Sequence, residues 1–268
     1  MDYEAGQVSI KVKDISMIFK NKFNPDDNLC AVDSVSFDVQ NGEILSILGP
    51  NGCGKSTILL IASGLLEPTS GRVCYSGNDA DDQSSRKAVV FQDFGLFYWM
   101  TVWQNIEFGL KALRNSPAER RDVIQRFVNL VGLAGFEKAY PRQLSGGMQQ
   151  RVAIARALAI APEYVFLDEP FASLDLQTRD LMQEEFLRIW QGQRVTTVFV
   201  THSIEEAIYL GQKIIVLTKR PGRIKMTLSV PFPYHREPAL RLTREFMELK
   251  SSIWNSLREE IEKQKPMK

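Results

Sequence analysis

The stretch GPNGCGKST at residues 49–57 decides the fold of this chain. It fits the pattern G-x-x-x-x-G-K-[ST], whose glycines let successive backbone N–H groups turn toward one centre. The apolar run at 44–48 predicts a short buried strand before it, and a helix is predicted to begin at about Gly54 and to end at Ser63. A helix N-terminus adds partial positive charge, so the segment predicts a phosphate-binding loop. An ordinary glycine-rich turn is the alternative, which the flanking strand and helix disfavour.

The residue types within this loop predict how it would hold a nucleotide. Lys55 would reach the β- and γ-phosphates, and the hydroxyl of Ser56 would bind Mg²⁺. Cys53 lies beside Lys55 at a helix start, and both features predict a lowered thiol pKa. The alternative is that Cys53 is only a small residue that fills its position. The residues expected to contact the nucleotide are Gly49, Pro50, Asn51, Gly52, Cys53, Gly54, Lys55, Ser56 and Thr57.

Composition is that of an ordinary soluble globular protein. Hydrophobic residues make up 44% and charged residues 24% of the 268 residues, and a net charge of +1 implies no polyanion partner, so nucleic acid is not expected. The N-terminal residues do not resemble a secretory signal, and no apolar run approaches the roughly 18 residues of a membrane span. Cys30, Cys53 and Cys74 are too widely spaced for a disulfide framework or a zinc site, which favours a reducing compartment. A role at a membrane would therefore need a separate membrane-spanning partner.

Strand and helix patterns alternate along the chain, which predicts a mostly parallel sheet covered on both faces. Residues 8–19 and 32–39 alternate apolar and polar residues as half-buried strands do, and Asn41-Gly42 predicts a tight hairpin turn into the strand at 44–48. A loop is predicted at 21–28, and helical periodicity at 94–160 indicates a helical insertion. Further strands are predicted at 72–75, 87–91, 164–167, 196–201 and 213–218, and further helices at 176–190 and 239–265.

Two carboxylates follow the apolar strand at 164–167. Open α/β sheets bind ligands at the carboxyl ends of their strands, so Asp168 and Glu169 are candidates for the chemistry. Asp168 would hold Mg²⁺, and Glu169 would polarise the attacking water. A helix cap or a solvated turn is the alternative, and the phosphate-binding loop upstream disfavours it.

The octapeptide LSGGMQQR at 144–151 resembles the signature motif of ABC proteins, and it precedes the Asp-Glu strand as in that family. Ser145 is a good N-cap, and the glycines after it leave N–H groups open at a second phosphate-seeking helix start. An isolated S-G-G would indicate only a capped helix. The resemblance implies that this motif contacts the ATP of a partner subunit through Leu144, Ser145, Gly146, Gly147, Met148 and Gln149.

Other segments also resemble elements of the ABC family. Gln92 resembles the glutamine that senses Mg²⁺ and the attacking water, and His202 resembles the switch histidine that contacts the γ-phosphate. Phe19 resembles the aromatic residue that stacks on adenine, although its place in the strand alternation fits a core residue equally well. The D-loop of the family is matched by Ser173, Leu174 and Asp175.

The resemblance implies an α/β fold of the P-loop NTPase (RecA-like) type, with a mostly parallel sheet core, an N-terminal antiparallel β portion and an inserted α-helical subdomain. It divides a single nucleotide-binding domain, residues 1–268, into an α/β core (1–93 and 161–235), a helical subdomain with the signature motif (94–160) and a C-terminal helical tail (236–268). Within the family, TKRPGRI at 218–224 and FMELKSSIWNSLREEI at 246–261 resemble the importer ATPases for nitrate, alkanesulfonates and taurine.

For function, the resemblance implies a Mg²⁺-dependent ATPase that closes head to tail with a second ATPase subunit, as a homodimer, with a different partner ATPase as the alternative. Its other implied partners are integral membrane permease subunits and an extracytoplasmic solute-binding protein, which places the chain peripherally on the cytoplasmic face of the membrane. Alternative functions are a soluble ABC ATPase of DNA repair or translation, a P-loop kinase and an ABC exporter. Soluble ABC ATPases usually carry two cassettes or a long coiled-coil insertion in one chain, and this chain is expected to have neither. A P-loop kinase would need an acceptor-substrate pocket and gains nothing from the signature octapeptide. Exporters commonly fuse their membrane segments to the cassette.

Two further segments suggest contacts. Large apolar residues follow Gln92 and predict a surface that receives a short cytoplasmic helix of the membrane subunit, with burial under the helical subdomain as the alternative. This aromatic cluster comprises Phe94, Phe97, Tyr98, Trp99 and Met100. The amphipathic tail at 239–265 predicts a packed terminal helix, with a partner-binding helix as the alternative.

Overall fold

The computed structural model describes residues 7–21, 28–76, 78–79, 85–113, 116–233 and 235–262. Most of the predicted loop at 21–28, the first six residues and the last three residues of the predicted tail helix lie outside these ranges. The chain forms two compact units. The first unit combines residues 1–84 with 194–268, and the second unit spans residues 85–193.

The strands and helices alternate in the predicted order. The strands are β1 (Val8–Phe19), β2 (Leu29–Gln40), β3 (Ile44–Leu48), β4 (Ser70–Tyr75), β5 (Asn78–Asp79), β6 (Lys87–Val90), β7 (Tyr164–Asp168), β8 (Thr196–Val200), β9 (Lys213–Leu217) and β10 (Ile224–Ser229). The helices are α1 (Lys55–Ser63), α2 (Val102–Ala112), α3 (Pro117–Leu130), α4 (Gly146–Ala159), α5 (Leu176–Gln193), α6 (Ile204–Leu210) and α7 (Arg244–Glu262). Short 3-10 turns lie at Pro141–Gln143 and Pro238–Leu242.

The first unit contains an antiparallel sheet of order β2-β1-β4-β5. Val12 on β1 faces Phe37 on β2 and Val73 on β4, and all three side chains are buried. The alternation of β1 and β2 buries one face, as a half-exposed antiparallel sheet requires. The predicted N-terminal antiparallel portion is therefore confirmed.

A second sheet of the first unit carries β3 between β8 and β9, to both of which it runs parallel. Every residue of β3 and β8 is buried, which explains their unbroken apolar sequences, because strands inside a parallel sheet are covered on both faces. β10 adds to β9 in the antiparallel sense.

The hairpin predicted at Asn41-Gly42 is wrong. A turn does occur there, with Gly42 at φ 68°, but it carries the chain from β2 in one sheet to β3 in the other. A tight turn between two strands determines only the local direction of the chain, whereas burial on both faces places β3 in the interior of the parallel sheet.

The second unit contains the parallel pair β6 and β7 and four helices. α2, α3 and α4 pack on one another, and each carries buried apolar residues, for example Ile106, Phe127 and Val152. Thr101 and Ser116 begin α2 and α3 with capping boxes, and each closes the first turn with reciprocal side-chain hydrogen bonds. All the elements of the described residues between 94 and 160 are helical, as the sequence predicts.

The tail forms α7, which packs on α6. It begins at Arg244 rather than near 239, because Pro238 starts a separate 3-10 turn and the backbone carbonyl of Thr243 accepts the first hydrogen bond of the new helix, from Met247. Phe246, Ile253 and Leu257 are buried along one face, so the tail is a packed terminal helix in this structure. Within the described part of the chain, none of the helices has the length and apolar character needed to cross a membrane.

Candidate functional site

The predicted phosphate-binding loop joins β3 to α1 in the first unit. Gly54, at φ 100°, is the N-cap residue of α1 and offers no side chain to its first N–H groups. A side chain at this position would also approach the carbonyl oxygen of Ala31 to 2.8 Å. An uncapped helix N-terminus keeps backbone donors and partial positive charge available, which suits an anion.

Lys55 is buried inside the loop. Its Nζ donates to the carbonyl oxygens of Gly49, at 2.9 Å, and of Pro50, at 3.1 Å. These two carbonyls hold the ammonium group within the loop, and phosphate oxygens would be stronger acceptors because they are charged. Ser56, the next residue, is exposed, so its hydroxyl can reach a bound ligand.

The expectation of a lowered thiol pKa at Cys53 is wrong. The residue is 1% exposed, and its burial raises the pKa of the thiol, an effect that outweighs the nearby charge of Lys55. A side chain added at Gly49 would come within 2.6 Å of the Sγ of Cys53. Cys53 is therefore a small residue that fills the space beside the loop backbone, as the alternative interpretation holds.

His202 follows β8 and lies beside this loop. An exposed cleft of about 540 Å³ in the first unit is lined by both segments and by α7. The loop around His202 is held in place because Thr201 Oγ1 donates to Glu206 Oε2 at 2.6 Å and accepts from the N–H of Ser203 at 3.0 Å. The lining residues are Gly49, Pro50, Asn51, His202, Ser203, Ile204, Glu205, Lys250, Trp254 and Leu257.

Phe19 lies at the end of β1, where it pairs with Leu29 across the sheet. It is 42% exposed, so it is not part of the core. The structure thus removes the core interpretation of Phe19, and its role in stacking on adenine stays a prediction.

The second unit gathers the other predicted residues. Asp168 ends the fully buried strand β7. Glu169 follows it with a backbone φ of 49°, a left-handed conformation that residues other than glycine rarely adopt. Asp175 caps α5 by accepting from the N–H of Thr178 at 3.0 Å, and this hydrogen bond lowers the pKa of Asp175. Gln92 lies exposed in the turn after β6.

The predicted signature helix is α4, and Ser145 is its N-cap. Ser145 Oγ accepts from the N–H of Met148 at 3.3 Å, as the sequence predicts. A side chain on Gly147 would meet Leu174 at 3.0 Å, so the start of α4 lies against the segment 173–175. The second unit therefore places the predicted signature motif beside the predicted D-loop.

Sequence comparisons agree with this arrangement. A family model for ABC transporters matches residues 32–172. The chain is 45% identical over 255 residues to an uncharacterised ABC transporter ATP-binding protein of Methanocaldococcus jannaschii, covering 95% of this chain and 93% of that protein. The chain belongs to the ABC transporter family.

Named relatives of this ABC protein include importer subunits. It is 40% identical over 259 residues to the taurine import ATP-binding protein of Pelagibacter ubique, covering 93% of this chain and 96% of the relative. It is also 40% identical over 228 residues to the nitrate import ATP-binding protein of Synechocystis, covering 85% of each.

Solved ABC cassettes share its fold. The dimeric structure of a bacterial ABC transporter cassette superposes with a TM-score of 0.76 at 32% identity, covering 84% of this chain and 100% of the cassette. A dimeric post-hydrolysis state bound to ADP and phosphate gives a TM-score of 0.75 at the same identity. The predicted α/β P-loop NTPase fold is confirmed, and the reaction of this ABC protein is ATP hydrolysis.

Sequence reasoning missed a support for the phosphate-binding loop. Gly222 donates its N–H to the carbonyl of Ala31 at 2.9 Å and accepts from the N–H of Asp33 at 3.0 Å. A side chain on Gly222 would come within 2.1 Å of the carbonyl oxygen of Cys53, so this residue touches the loop backbone. The sequence signal is the Pro-Gly pair in TKRPGRI, because this dipeptide is typical of a turn.

Sequence reasoning also missed Gln150, the seventh residue of the signature octapeptide. Its side chain is buried in the second unit and makes hydrogen bonds to the segment 169–173. The sequence carries no signal for this role, because Gln150 lies between the polar residues Gln149 and Arg151 and only the tertiary structure shows that it is buried.

Proposed function

We propose that this chain is the ATP-hydrolysing subunit of an ABC importer, which works on the cytoplasmic face of the membrane with integral permease subunits. A small solute such as nitrate, an alkanesulfonate or taurine would be the cargo, and an extracytoplasmic solute-binding protein would deliver it. The names of the importer relatives at 40% identity support this proposal.

The observation that carries the ATPase assignment is the uncapped start of α1, with the ammonium of Lys55 buried in the loop before it. A buried cation beside open N–H groups favours a bound anion, because the anion offsets the desolvation of the charge. The phosphates of ATP supply that anion.

The candidate metal ligands fit Mg²⁺. This hard cation takes oxygen ligands and is held in enzymes by few side chains together with substrate phosphates. Ser56, Gln92 and Asp168 all offer oxygen atoms, and Asp168 lies at the end of a wholly buried strand, which gives its carboxylate a defined position. When bound, Mg²⁺ neutralises developing charge on the phosphates.

Glu169 is the proposed general base. It follows Asp168 directly, so its carboxylate can take a proton from the attacking water while Asp168 is engaged with the metal. His202 would contact the γ-phosphate, since it shares a cleft with residues 49–51 of the phosphate-binding loop.

Two copies would close head to tail, with each ATP held between one phosphate-binding loop and the α4 N-terminus of the partner. Support comes from a second helix start that suits an anion, at Ser145, where the glycines after the cap leave N–H groups available. The solved cassettes with the same fold are dimers.

The aromatic cluster would receive a short helix of the membrane subunit. Trp99 is 71% exposed, and the loop that carries it is held rigid by the buried Asn105, whose Nδ2 donates to the carbonyls of Phe97 and Met100 at 3.1 Å each. A rigid loop with exposed aromatic residues is well suited to bind a partner, because little conformational entropy is lost on contact. Trp99→Glu should block co-purification with the permease, whereas Leu242→Glu, at an exposed apolar residue of the tail, should not.

The assignment is tested with Glu169→Gln and Lys55→Ala. Glu169→Gln keeps the shape of the side chain and removes its basicity, so turnover should fall by about a hundred- to ten-thousand-fold while ATP binding remains. This variant should then form an ATP-dependent dimer on size-exclusion chromatography, and Lys55→Ala should lose both binding and dimer. Near wild-type turnover by Glu169→Gln would refute the base assignment.

A further inference from the structure

Gln150 connects three parts of the second unit through one buried amide group. It lies on α4, five residues after Ser145, and is 1% exposed. Its Nε2 donates to the backbone carbonyl of Glu169 at 3.2 Å, and its Oε1 accepts from Ser173 Oγ at 2.5 Å. Both ends of the amide are therefore used, as a buried polar group requires.

The contact with Glu169 bears on an unfavourable backbone conformation. A residue other than glycine is strained in the left-handed region, and this conformation persists only where its surroundings hold it. Glu169 is at φ 49°, and its carbonyl accepts from Gln150 and also from the N–H of Ala172 at 3.2 Å. These hydrogen bonds hold the backbone that aims the carboxylate of the proposed base.

The contact with Ser173 joins the same amide to the D-loop. The start of α4 also lies against this segment, since Gly147 faces Leu174. Gln150 lies five positions after the N-cap residue Ser145, which corresponds to a rise of roughly 7–8 Å along the helix. A displacement of the helix start is therefore passed to Gln150 as a rigid-body movement.

We propose that Gln150 is a positioning residue that couples the two ATP sites of the closed dimer. This inference rests on the proposed two-subunit site, in which the N-terminus of α4 binds the partner's ATP and Glu169 acts on the chain's own ATP. Engagement of the partner's ATP sets the position of α4, and Gln150 transmits that position to the backbone of Glu169. Hydrolysis at one site thereby depends on occupancy of the other.

The test is the steady-state ATPase activity of the full chain with Mg-ATP. Gln150→Met keeps a similar volume but removes both hydrogen bonds, and Gln150→Glu removes the donor to Glu169 while retaining the acceptor for Ser173. Since misplacing a catalytic group by about 1 Å costs on the order of a hundredfold, each variant should lower kcat by about that factor. KM for ATP should not change, and the ATP-dependent dimer of Glu169→Gln should survive addition of Gln150→Met.

The matched control is Gln212→Met. Gln212 also bridges backbone segments, because its Oε1 accepts from the N–H of Ile44 at 2.6 Å and its Nε2 donates to the carbonyl of Leu210 at 3.4 Å. The variant Gln212→Met should lower the melting temperature about as much as Gln150→Met does, but it should leave kcat unchanged. A fall in kcat of Gln150→Met no larger than that of Gln212→Met would overturn the positioning role.

Coupling is tested with Ser145→Ala in a double-mutant cycle. If Gln150 transmits engagement of the signature motif, Ser145→Ala should lower kcat in the wild-type background but cause little further loss in Gln150→Met. Fully additive effects would overturn the coupling. Failure of Glu169→Gln to form an ATP-dependent dimer would instead refute the two-subunit site itself, so the two failures are distinguishable.

Discussion

Gly222→Ala tests whether the segment 218–224 shapes the phosphate-binding loop. The added methyl group would lie 2.1 Å from the carbonyl oxygen of Cys53 and 3.4 Å from that of Ala31. Ordinary van der Waals contact begins near 3.4 Å, so the backbone at Cys53 and the Gly222 segment must separate by more than 1 Å. Neither partner of this contact is the end of a flexible side chain, so the movement must come from backbone.

The expected magnitude follows from that separation. Inserting a methyl group into a packed region typically costs about 1–3 kcal/mol, and a displacement of about 1 Å at a site can cost on the order of a hundredfold in activity. Cys53 lies two residues before Lys55, so the displaced backbone is that of the phosphate-binding loop itself. Gly222→Ala should therefore weaken ATP binding more than its loss of stability alone would explain.

The assay combines thermal unfolding with titration of a fluorescent ATP analogue. Gly192→Ala is the control, because no atom lies within 4 Å of the added methyl group and the position is in helix α5. Because this glycine lies in a helix, its replacement by alanine should stabilise the folded protein by up to about 1 kcal/mol. If Gly222→Ala melts and binds ATP as the wild type does, the loop does not depend on this contact.

Three further perturbations should follow from the structure. Because burial raises the pKa of its thiol, Cys53 should resist alkylation of the folded protein equally with and without nucleotide, and rapid nucleotide-sensitive labelling by mass spectrometry would contradict this. The guanidinium of Arg223 lowers the pKa of Asp33 below its ordinary value of 3.8. Their ion pair therefore stabilises the folded protein above pH 3.8, and this stabilisation is lost as the pH falls through the lowered pKa. Arg223→Met should hence destabilise the folded protein at neutral pH but not in acid. If the variant and the wild type differ in urea unfolding by the same amount at every pH, the ion pair does not contribute in this way. Ile253→Ala, at a fully buried position of α7, should cost about 2–5 kcal/mol, whereas Trp254→Ala, at an exposed one, should cost little; equal losses in thermal melts would argue against the packed tail.

The sequence alone determined the family, the order of the elements and the strand-turn-helix segment that carries the predicted phosphate-binding loop. Short-range patterns were enough here, because a glycine-rich turn between a buried strand and a helix, or a serine before two glycines, determines local backbone geometry directly. The fold prediction for residues 44–63 and the N-cap at Ser145 are confirmed for this reason.

Burial and long-range pairing were decided only by the tertiary structure. Asn41-Gly42 predicts a turn, but the strand that follows it joins the parallel sheet because both faces of β3 find apolar partners there. Cys53 has the sequence neighbours of a reactive thiol, yet the packing around Gly49 buries it and reverses the direction of its pKa shift. Gly222 approaches Cys53, which lies 169 residues earlier in the chain. Gln150 contacts Glu169, which lies 19 residues later. Such contacts depend on how separate segments meet in space, and a local pattern carries no information about that meeting.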